Sequence, residues 1–132
     1  QGVPSETTAD ALLRVEEVLS LDPRIVIVGL GGNDVLQRLP REQTFSNLRT
    51  IVDQVQASGA MVVILGLKGF PLSDDLSSGY KQLARDTGSV YVPNLLGGIL
   101  SNPKLKSDQI HPNAAGYKVI ADRIYEKLEP YL

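Results

Sequence analysis

Two kinds of segment alternate along this chain. "RIVIVGL" (24–30), "MVVILGL" (61–67) and "SVYVPN" (89–94) are short, apolar and rich in β-branched residues, and the first two show no polar alternation. Such runs suit strands covered on both faces, as in a parallel sheet. Around them, apolar positions recur at helical spacing: Leu12, Val15 and Leu19; Phe45, Leu48, Val52 and Val55, closed by Ser58-Gly59; and Tyr117, Ile120, Ile124 and Leu128. A weaker helical period spans 76–87 and stops at Gly88. Strand and helix in strict alternation predict an α/β fold, a three-layer sandwich around a parallel sheet with right-handed crossovers.

The plan has an open side. Only three strands are predicted, each apolar on both faces, and a sheet of three would end in long apolar edges that proteins normally cover or blunt. The pattern also opens on a loop and a helix, so further sheet is expected upstream of Gln1.

Length and composition narrow the function classes. A chain of 132 residues fits one domain, 1–132, with a core of its own. Thirteen basic and fifteen acidic residues, with a net charge of −2 and no long runs of one sign, argue against a nucleic-acid partner. The absence of cysteine excludes a disulfide framework, a thiolate nucleophile and a cysteine-ligated metal. The apolar runs fall far short of the ~20 residues of a membrane span. "QGVPSETTAD" has neither the basic start nor the apolar stretch of a signal peptide, and a mature secreted protein would look the same. Periplasmic, secreted and intracellular settings therefore all stay open.

Two stretches carry candidate chemistry. "LGGNDVL" (30–36) directly follows the first strand, and ligands in open α/β sheets bind at the carboxyl ends of strands. Its glycines permit a sharp turn, and Asn33 offers a neutral side-chain NH₂ donor to developing negative charge. The alternative is that Asn33-Asp34 merely makes a turn. A dinucleotide loop beginning at Gly29 fails, because Asp34 stands where the third glycine belongs and would repel a pyrophosphate.

The second stretch is "SDQIHPN" (107–113), which holds the only histidine. Asp108, three residues ahead of His111, can accept a hydrogen bond from imidazole Nδ1 and leave Nε2 free as a base. Pro112 stiffens the loop, and Asn113 suits the N-cap of the last helix. An exposed loop histidine before a capped helix is the plainer alternative. A metal site would have to be built from carboxylates, because no second histidine exists.

Taken in order, these stretches resemble the SGNH (GDSL-type) hydrolases, a flavodoxin-like family of esterases, lipases and thioesterases. Gly31-Gly32-Asn33-Asp34 looks like the family's GxND block, and Asp108-Gln109-Ile110-His111-Pro112-Asn113 like its DxxH block. The resemblance implies Asp108 and His111 as catalytic residues and Asn33 and Gly2 as oxyanion-hole donors, with no cofactor or metal. The substrate it implies is a small ester or thioester.

The family's first block, a strand leading into GDS with the nucleophilic serine, has no counterpart here, and GxSxG is also absent. Ser5, Ser73, Ser77, Ser78 and Ser107 do not sit in a Gly-flanked turn after a strand. The resemblance therefore implies a chain that lacks an N-terminal βαβ portion, which needs ~30 residues or more. Its partner would be an N-terminal fragment of the same protein carrying the serine, and this chain alone would be inactive. Apolar loops at 68–76 and 95–105 offer Phe70, Leu72, Leu95, Leu96, Ile99 and Leu100 for an acyl pocket or for packing beneath the loops. A non-catalytic flavodoxin-like module that binds a partner at its sheet edge is the competing expectation.

Overall fold

The computed structural model describes residues 2–68 and 76–132. Three parallel strands, β1 (Ile25–Val28), β2 (Met61–Leu65) and β3 (Val90–Val92), lie side by side in chain order. All three fall within the predicted apolar runs, each trimmed to the residues that pair. The register sets Ile25 beside Met61 and Val63 beside Val90.

Side chains alternate across the sheet. Val26, Val28, Val62, Ile64 and Tyr91 face a core shared with α1 (Thr8–Leu13), α2 (Val15–Leu19), α4 (Arg41–Ala57) and α5 (Ser77–Thr87). Met61, Val63, Leu65, Val90 and Val92 face the opposite side, where α6 (Ala114–Leu128) sends Ile120, Ile124 and Leu128. The expected sandwich is present: helices cover both faces of a parallel sheet.

The long helix α4 follows its predicted period. Leu48, Ile51, Val52 and Val55 form its buried stripe, and Ser58-Gly59 ends it. Two buried positions on it are polar, Thr44 and Asn47. Helix α5 stops where predicted, at Gly88, whose φ of 66° is left-handed. The first predicted helix is instead two short ones broken at Arg14, and α3 (Gly32–Leu36) occupies what the sequence suggested was a turn.

Coverage is uneven at β1. Its outer edge has no partner strand among the described residues, and a groove of about 360 Å³ runs along it between Val26, Val28 and the helices at Ala11 and Val15. On the other face α6 packs against β3, and Ile27 of β1 stays 47% exposed. The short β3 blunts its own edge. No helix among the described residues is long and apolar enough to cross a membrane.

The uneven packing is measurable. Replacing fully buried Leu48 by Ala is expected to cost ~2–5 kcal/mol in urea unfolding. Ile27→Ala in the same chain is expected to cost under ~1 kcal/mol, because half of that side chain already meets water. Equal losses would show that the outer face of β1 is covered.

Candidate active site

The end of β1 leads through Gly29-Leu30 into the turn at Gly31. Gly31 has φ 108°, and a Cβ there would collide with the Tyr80 hydroxyl, so only glycine fits. That hydroxyl donates to the Leu30 carbonyl at 2.7 Å. Burial, reinforced by the charge of Asp34, pushes the Tyr80 phenol far above its usual range, so it stays a donor. The strand end is thus gripped from α5.

Asn33 and Asp34 lie in the first turn of α3 and point to different tasks. The Asn33 side-chain amide donates one N–H to the Glu6 carbonyl at 2.8 Å. Its second N–H has no partner among the described residues. Asp34 is buried and bonded to Thr8 and Thr44. Glu6 is itself held by a salt bridge from Arg14, with Arg14 Nη2 2.9 Å from Glu6 Oε2.

The second half of the site precedes α6. Asn113 caps that helix, accepting from Gly116 N at 3.0 Å. Its Nδ2 donates to the Lys104 carbonyl at 2.9 Å, and its backbone N–H to Leu105 O at 3.0 Å. Gly116 lets the loop lie this close, since a Cβ would strike the Leu105 carbonyl and Pro112. Ser107 N donates to His111 O at 2.9 Å, which closes the loop around the histidine.

Within that loop Asp108 does three things at once. Its Oδ1 accepts from the N–H groups of Ile110 (2.8 Å) and His111 (2.9 Å), and its Oδ2 lies 2.7 Å from His111 Nδ1. The Ile110 N–H first, then the His111 side chain and backbone, hold the Asp108 carboxyl down at about 2. An ionised carboxylate can only accept, so Nδ1 carries the proton, and in the neutral imidazole the Nε2 lone pair is the one left open. Nothing among the described residues bonds to Nε2. Both side chains are more than half exposed.

A cleft of about 290 Å³ opens at the end of β1. Gly2, Asn33 and Ile110, the neighbour of His111, all line it, with Leu30, Leu67 and Leu96. Of the apolar loop residues, Leu96 reaches this cleft and Leu100 a second cavity, whereas Leu95 and Ile99 are buried beneath the loops. Phe70 and Leu72 lie outside the described residues, as does Ser73. The Ser107 hydroxyl donates to the His111 and Pro112 carbonyls, and Ser78 accepts from Arg41; neither meets the imidazole. Among the described residues no group of three or more histidine and carboxylate side chains could hold a metal.

The chain is similar to known proteins. The model of the GDSL-like Lipase/Acylhydrolase family matches residues 1–119. Thioesterase 1/protease 1/lysophospholipase L1 of Escherichia coli K12 is 29% identical over 136 residues, covering 98% of this chain and 65% of that protein. Esterase TesA of Pseudomonas aeruginosa is 28% identical over 138 residues, covering 99% of this chain and 69% of its own length. A crystal structure of TesA superposes with a TM-score of 0.86 at 28% identity, over 96% of this chain and 74% of that one. The SGNH-hydrolase family esterase AlinE4 gives a TM-score of 0.72 at 28% identity, over 99% and 74%. These relatives are esterase, thioesterase and lysophospholipase types, and this chain spans about 65% of the first one's length.

The charge state of Asp108 can be read directly. Its folded value lies below the ordinary 3.8, so its bonds stabilise the loop fully above 3.8 and are lost as pH falls through about 2. A carboxyl-carbon NMR titration is expected to show a midpoint near about 2. A midpoint at the ordinary value would mean that the loop bonds do not persist in solution.

Proposed function

The chain belongs to the GDSL-like lipase/acylhydrolase family, and on that footing we propose that it supplies the base and two oxyanion donors of a serine ester hydrolase. The observation that carries this reading is the Asp108–His111 pair. An ionised carboxylate fixes Nδ1–H at 2.7 Å and leaves Nε2 without a partner among the described residues. Ile110, the residue before His111, lines the apolar cleft.

In this reading the nucleophilic serine comes from a segment that precedes Gly2. Support comes from the lengths of the relatives and from the β1 edge, which has no partner strand among the described residues and borders a groove. His111 Nε2 takes the serine proton as Oγ attacks the ester or thioester carbonyl, then returns it to the departing alcohol or thiol. Water repeats the sequence to release the acid and regenerate the serine. The free N–H of Asn33, the Gly2 N–H and the serine's own N–H receive the oxyanion. Asp108 stays ionised throughout and steadies the imidazolium. Leu30, Leu67 and Leu96 offer the acyl group an apolar wall.

Binding and an oxyanion pocket without a nucleophile leave only ~10³–10⁴-fold over water. The 132 residues alone are therefore expected not to turn over an activated ester such as p-nitrophenyl butyrate. Combined with an upstream segment carrying the serine, they are expected to do so, and a fluorophosphonate should label that segment. In the active protein Asn33→Ala is expected to lower kcat by ~10²–10³, the usual effect of removing one oxyanion donor. Turnover by the chain alone that disappears in His111→Ala would overturn the supplied nucleophile, and an unchanged kcat in Asn33→Ala would overturn the role of that amide.

A further inference from the structure

Asp34 has no part in the chemistry proposed above, yet it is a carboxylate with 1% exposure one residue from the oxyanion amide. Charge in such a place persists only when donors surround it. Thr8 N donates to Oδ2 at 2.9 Å, Thr8 Oγ1 to Oδ1 at 2.5 Å, and Thr44 Oγ1 to Oδ1 at 3.2 Å. Asn47 Nδ2 donates to Thr8 Oγ1 at 3.1 Å, which fixes the direction of the Thr8 hydroxyl toward the carboxylate. Thr8, Thr44 and Asn47 are themselves buried.

The geometry of the neighbours gives this cluster a use. Thr8 is the first residue of α1, and the segment that leads into it is Gly2–Thr7. Asp34 holds that segment at the Thr8 N–H, and Asn33 holds it at the Glu6 carbonyl, 2.8 Å from Nδ2. Two adjacent residues of one turn thus tie the same segment at two points. The Glu6 tie uses one Asn33 N–H and sets the plane of the amide, so the second N–H points in a fixed direction. Gly2, at the far end of the tied segment, lines the same cleft as Asn33.

We infer that Asp34 is a positioning residue: acting through Thr8, its carboxylate sets the spacing between the Gly2 segment and the Asn33 amide, and with it the shape of the oxyanion pocket. The inference rests on the oxyanion roles proposed above. A carboxylate lets the Thr8 N–H and both threonine hydroxyls donate to it. An amide with its oxygen on the Thr8 N–H would have to reverse the two hydroxyl bonds, and the hydroxyl protons would lose this acceptor.

The test has a structural arm and a kinetic arm. Thr8→Val removes the hydroxyl, keeps the volume and lies far in sequence from Asn33. In ¹⁵N spectra of the 132-residue chain it is expected to shift the Asn33 side-chain resonances and speed exchange of the proton bonded to Glu6, with Thr8→Ser restoring both. The His111 ring resonances should not move. In the protein carrying the nucleophile segment, Asp34→Asn is expected to lower kcat on p-nitrophenyl butyrate about tenfold or more with KM within about twofold. Asn33→Ala in that background should lower it by less than the product of the single effects. If Asp34→Asn does not fold, the Thr8→Val and Thr8→Ser pair is assayed instead.

Unmoved Asn33 resonances, or fully multiplicative kinetic effects, overturn the inference and leave the function standing. An Asn33→Ala enzyme with unchanged kcat overturns the proposed oxyanion role, and the inference with it.

Discussion

A carboxyl group almost without exposure is tolerated in a protein interior only if each of its oxygens meets hydrogen-bond partners. Asp34 satisfies that demand by drawing together parts of the chain that are distant in sequence: the start of α1 at Thr8, the first turn of α3, and Thr44 and Asn47 on α4. Because α4 also packs the sheet through Leu48 and Val52, the cluster connects the apolar core to the strand-end turn. The turn in turn places Asn33 against Glu6. The cleft therefore inherits its shape from one buried charge.

The sheet imposes the complementary constraint. Parallel strands are stable when both faces are covered, and here core residues pack on both faces of β2 and β3, while β1 leaves Ile27 exposed. Val26 and Val28 are packed from the α4 side, whereas Ile27 looks out past α6, and the outer backbone edge of β1 meets a groove instead of a strand. The edge and the adjoining face of the same strand are thus both open among the described residues. The open edge runs up to the turn that carries Asn33, at the carboxyl end of the strand.

What could be read from the sequence was whatever is encoded locally. The β-branched runs marked all three strands, the period of Leu48, Val52 and Val55 marked α4, and Gly88 marked the end of α5. The Asp108–His111 bond and the Asn113 cap were legible because their partners lie three residues apart. The Asp34 cluster was not, since its bonds span up to 39 residues and are made by threonines and an asparagine that resemble surface residues. Buried Thr44 and Asn47 on an otherwise apolar helix stripe were the available signal: polar groups on a core face need a partner. Nor could the sequence separate Leu96 in the cleft from Leu95 and Ile99 beneath it, because an irregular loop has no period to assign its faces.

The same contrast between local and distant bonds divides the site in two. The base half closes within residues 102–116, so its geometry is set by short loops and a helix cap that cost little chain entropy to form. The proposed oxyanion half joins residues 26 and 27 positions apart, and it includes the segment at Gly2, which the Asn33 and Asp34 ties, the Glu6–Arg14 bridge and the Thr7–Asp10 capping box hold. Local opening of a protein takes the least tied segments first. Loosening of the first residues would thus dismantle the oxyanion pocket while leaving Asp108 and His111 in place. If the proposed roles hold, the base would then persist without the oxyanion donors, and the integrity of the Gly2 segment would matter to the site as much as that of the histidine loop.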